Sequence, residues 1–89
     1  MTILDALVDL ESAVEGYLGK GDEFVVLSAV FKLNNEIGKQ FTVSHDPALK
    51  ALQLRVNDVT VAARRNDRKE LGAALERVRA AVLDRREST

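Results

Sequence analysis

Hydrophobic positions recur at intervals of three and four along nearly the whole chain, the spacing that keeps side chains on one face of an α-helix. The first such stretch, Ile3, Leu7, Leu10, Val14, Tyr17 and Leu18, predicts a helix over 3–18. Thr2 and Asp5 stand in capping-box spacing at its start, and Gly19 and Gly21 follow its end. Asp5, Asp9, Ser12 and Glu15 collect on the opposite side. The second stretch, over 22–41 with Asp22 as its cap, holds all three phenylalanines. At 100° per residue its apolar positions Val26, Leu27, Val30, Phe31, Leu33, Ile37 and Phe41 spread over more than half the circumference. One neighbouring helix cannot cover so wide an arc, so this segment needs at least two. Ser28, Lys32, Asn35 and Lys39 fill the remaining side. The Val- and Phe-rich start would also suit a β-strand, but the helical spacing continues through Leu33 and Ile37, too far for a strand's alternation.

Residues 42–46 form the one long connection. Pro47 at a first helical position, with Asp46 or Ser44 as N-cap, then opens a third helix over 47–65. Its main seam is Leu49, Leu52, Val56, Val59 and Ala63, and a second, smaller apolar line, Leu54 and Val61, runs along its far side. Asn66 and Asp67 break and recap the chain. The fourth helix, over 67–85, turns Leu71, Ala74, Leu75, Val78, Ala81 and Val82 one way, and residues 86–89 are expected to fray. Shifted by 45 residues, the chain superimposes Asp22 on Asp67, Ala29 on Ala74, and Val26, Val30, Leu33 and Ile37 on Leu71, Leu75, Val78 and Val82. Two similar helical hairpins are implied. The expected fold is all-α: a single domain over 1–89 of four antiparallel helices, closed as a four-helix bundle or stacked as a two-layer array.

Charge adds an asymmetry. Up to His45 there are three basic against seven acidic residues, and from Asp46 onward ten against seven, so the halves carry −4 and +3 within a net −1. Such halves can order one another or a neighbouring molecule through complementary fields. With 46% apolar and 30% charged residues, the composition is that of a folding domain. No cysteine is present to form a disulfide or a thiolate metal site. No apolar run has membrane-spanning length and the start lacks a basic signal-peptide region, so the chain reads as soluble, unprocessed and cytoplasmic.

Candidate chemistry is sparse. Ser44, His45 and Asp46 include the residue types of a catalytic triad, but adjacent loop residues do not aim three side chains into one relay, and they read as a turn and cap. His45, the sole histidine, has no partners spaced for zinc, and the carboxylates Asp5 and Asp9 lack a third ligand. There is no glycine-rich phosphate loop, so neither an enzyme nor a cofactor, metal or small-molecule substrate is expected. Arg64, Arg65, Arg68 and Lys69 crowd the last inter-helix turn, a candidate contact for phosphates or an acidic partner. No aromatic residues alternate with them for base stacking, so a nucleic-acid-associated regulator is the weaker alternative.

The stronger expectation comes from surplus apolar surface on the second and third helices. Phe24, Val25, Leu54 and Val61 are read as a partner-binding set, and Asn34, an amide within the apolar arc, as a residue that fixes register. The expected function is that of a small non-enzymatic protein-interaction module, an adaptor, chaperone or inhibitor, that binds itself as a homodimer or another protein.

Overall fold

The computed structural model describes residues 2–87, with side chains up to Asp84. Four helices fill it: α1 (Ile3–Lys20), α2 (Glu23–Ser44), α3 (Pro47–Arg64) and α4 (Arg68–Glu87). At 22 residues α2 is about 33 Å long, close to the full 37 Å length of the molecule. Linkers this short force each helix to run antiparallel to the one before. Every helix packs on its neighbours in sequence, and a thinner α1–α4 contact closes the ring as a four-helix bundle.

Each helix end has an identifiable chemical cause. Thr2 and Asp5 exchange both bonds of a capping box at the start of α1. Gly19, expected outside this helix, lies within it. The stop is Gly21, in the left-handed region at φ 75°, whose N–H donates to the Tyr17 carbonyl. Asp22 caps α2 through the Phe24 N–H, and Asp46, not Ser44, caps α3 through the Ala48 N–H, with Pro47 at the first turn. The expected long connection over 42–46 is absent, because α2 continues to Ser44. The hydroxyls of Thr42 and Ser44 donate back to the carbonyls of Gly38 and Gln40, and left-handed His45 closes the helix with its N–H on the Phe41 carbonyl. Between α3 and α4 a Schellman arrangement forms: the Asp67 N–H donates to Ala62 O and the Asn66 N–H to Ala63 O, with Asn66 at φ 55°. Helix α4 reaches Glu87, so residues 86 and 87 are helical where fraying was expected, and the remainder of that expectation, 88–89, lies outside the described residues.

The core is apolar throughout. Leu7, Leu10, Leu33, Ile37, Leu49 and Leu71 are its largest fully buried side chains, and no polar or charged residue is buried among the described residues. The two hairpins repeat in space as in sequence. Val26, Ala29, Leu33 and Ile37 of α2 are buried, as are Leu71, Ala74, Val78 and Val82 of α4 at the same offset, with Leu75 only partly so. Each hairpin turn also pairs a left-handed residue, Gly21 or Asn66, with an aspartate cap, Asp22 or Asp67.

Candidate interaction surface

The wide apolar arc of α2 is covered on only two sides, by α1 and α3. Its third side carries Phe24 and Phe31, 80% and 67% exposed, two turns apart on the flank opposite buried Leu33. On α3 the second apolar line points outward as its spacing requires, Leu54 at 68% and Val61 at 46% exposed, opposite buried Val56 and Val59. An amide pair joins α2 to α3. Asn34 Nδ2 on α2 donates to Asn57 Oδ1 on α3 at 3.4 Å. Phe31 is one turn from Asn34, and Leu54 and Val61 are one turn on either side of Asn57. Leu54 and Val61 are equally one turn from Asp58, which with Val61 lines the recess between α3 and α4, so the exposed apolar residues of α2 and α3 occupy the outer sides of the two helices.

The candidate partner-binding residues are all exposed but do not share one recess: Phe24 and Val25 line an open recess between α1 and α2 with Asp9, Ser12 and Lys32, Val61 lines one between α3 and α4 with Asp58 and Arg65, and Leu54 stands on the outer side of α3. Phe31, a member of the apolar arc in the sequence, is exposed, because at about 200° from Leu33 it stands on the side of α2 away from the core. Asn34 is half-buried rather than central to a hydrophobic seam, and its Oδ1 is shielded from solvent without a hydrogen-bond partner.

All four residues of the basic turn are exposed. Arg68 Nη1 donates to the Leu18 carbonyl at the end of α1, 3.1 Å away, where a helix leaves acceptors free. Arg65 lines a recess between α3 and α4 with Asp58, Asp67, Glu70 and Arg77. Ion pairs among the described residues join Lys39 to Glu36 and Arg77 to Glu70. Lys50, exposed at the other end of α3, has its Nζ 5.0 Å from the centroid of the Phe41 ring.

Among the described residues no three His, Asp or Glu side chains are grouped to hold a metal ion, and no helix is long and apolar enough to cross a membrane. His45 meets the edge of Phe41, its ring centroid 5.8 Å away, and acts as a helix cap. Comparison with known protein families, curated proteins and solved structures finds no match.

Proposed function

We propose that this chain is a small non-enzymatic interaction module that binds another protein surface through exposed apolar residues of α2 and α3. The observation that carries this reading is the exposure of Phe24, Phe31, Leu54 and Val61 on α2 and α3 of a bundle whose core is complete without them. Burying each such side chain gains about 1.5–3 kcal/mol, so three or four can offset much of the several kcal/mol lost in association. The nucleic-acid reading has less support, because Arg68 is engaged with α1 and Arg65 sits among carboxylates.

A tagged chain and its Leu54→Asp, Val61→Asp double variant, incubated with lysate of the native cell, test the reading. Both residues are on the surface, so the variant should fold. A protein retained by the parent and lost by the variant supports the interface, whereas identical retained sets would remove it. A two-fold homodimer is one way to cover these residues, and light scattering at micromolar concentration detects it.

A further inference from the structure

The internal repeat makes one contact of the bundle the counterpart of another. An offset of 45 residues carries α1 onto α3 and α2 onto α4, so in a closed ring the α2–α3 seam should recur between α4 and α1. On α3 the residues Leu49, Val56 and Ala63, seven apart, are buried beside Lys50 and Asn57, which meet Phe41 and Asn34 of α2. Their counterparts on α1 are Leu4, Glu11 and Leu18. Leu4 is only partly buried, Leu18 is 38% exposed, and a glutamate stands where the seam buries Val56. On the facing helices, buried Val30 of α2 corresponds to Leu75 of α4, which is only partly covered. The two contacts differ accordingly: α2 packs broadly on α3, and α1 only thinly on α4.

Polar bonds offset that deficit at one end of the edge. The Tyr17 hydroxyl reaches Asn66 and the Ala63 carbonyl, and Arg68 reaches the Leu18 carbonyl, all where α1 stops and α4 starts. Farther along, the described side chains of α1 and α4 exchange no hydrogen bond or ion pair.

We propose that the bundle opens along its α1–α4 edge, where α1 parts from α4 while each stays packed on its own hairpin partner, with the Tyr17–Asn66 and Arg68–Leu18 bonds as the latch. Parting the thinnest contact uncovers the least apolar surface, so this opening lies below global unfolding in free energy. It turns the inward faces of α1 and α4, with Leu7, Leu10 and Leu71, toward solvent. The exposed apolar residues of α2 and α3 take no part in this motion.

The chain has no cysteine, so a single buried thiol reports the opening. Val14→Cys and Val78→Cys place one inside α1 and α4, and Val30→Cys and Val56→Cys place one in the α2–α3 seam, all at buried sites. Under native conditions and in low urea, a chromogenic disulfide reagent should react at least about tenfold faster at the first two sites, with a shallower urea dependence than global unfolding. Equal rates at all four sites, with the urea dependence of global unfolding, would overturn the proposal. So would fast reaction at Val14→Cys alone, which would mark detachment of α1 by itself. Glu11→Val gives α1 the residue that seals the α2–α3 seam, and should slow both edge thiols by about tenfold. Tyr17→Phe with Arg68→Ala should speed them by about tenfold. Edge rates unchanged by Glu11→Val would reject the weak edge, and rates unchanged by the second pair would reject the latch.

Discussion

The hydroxyl of Tyr17 on α1 donates to Oδ1 of Asn66, 2.6 Å away in the turn between α3 and α4, with the Ala63 carbonyl oxygen 3.3 Å from the same hydroxyl. The ring is buried at 3% exposure, and its one polar atom therefore requires a partner inside the protein. That partner ties the first helix to the second hairpin along the thinnest contact of the bundle, and the Arg68 bond to Leu18 reinforces the same edge.

Tyr17→Phe is accordingly expected to lower stability by about 1 kcal/mol, since exposed Asn66 regains water when the hydroxyl is lost. Asn66→Gly keeps the left-handed turn but removes the acceptor, and should cost about the same. Urea denaturation of both variants and of their combination checks the coupling: a double variant no worse than either single one identifies a shared bond, and full additivity would reject it.

Asn34 works against stability. Its Oδ1 is enclosed without a partner and its Nδ2 has a long bond of 3.4 Å. Asn34→Leu removes an unsatisfied group worth about 1–3 kcal/mol and extends the apolar lining toward Phe31, so the melting temperature should rise by about 4–8 °C for each kcal/mol gained. If the amide also fixes the α2–α3 register, the same variant will show more than one state by native mass spectrometry. Lower stability with one unchanged state would exclude both roles.

Glycines divide by backbone geometry. Gly16 and Gly72 lie inside helices, and an added Cβ would meet nothing within 4 Å, so Gly16→Ala and Gly72→Ala should each stabilise by about 0.5–1 kcal/mol and add. At Gly21, with φ 75° and equally open space, alanine should instead destabilise by about 1 kcal/mol. Thermal melts of the three variants distinguish the two effects.

Leucines separate core from surface. Leu33→Ala opens a cavity at a site with 0% exposure and should cost about 2–5 kcal/mol, a large share of the stability of so small a domain. Leu54→Ala, at 68% exposure, should change stability by less than about 0.5 kcal/mol while weakening retention of a protein partner. Chemical denaturation and partner capture on the same pair of variants read the two consequences apart.

The sequence by itself determined the four helices, their order and most of their ends, because apolar spacing, aspartate caps, Pro47 and Gly21 act within a turn or two of the chain. It also identified Leu54 and Val61 as outward-facing, since a second apolar line on the far side of a helix cannot reach the same core. Tertiary structure decided what depends on residues far apart in sequence. Phe31 and Val30 are adjacent members of one apolar arc, yet one is exposed and the other buried, because α1 and α3 cover only part of α2's circumference. Arg64, Arg65, Arg68 and Lys69 all stay exposed at the last turn, but packing decided which of them meets another element, since Arg68 donates to a carbonyl 50 residues away and Arg65 lines the recess against α4. Local propensity specifies elements, but only their packing determines which of an element's faces is left for solvent or a partner.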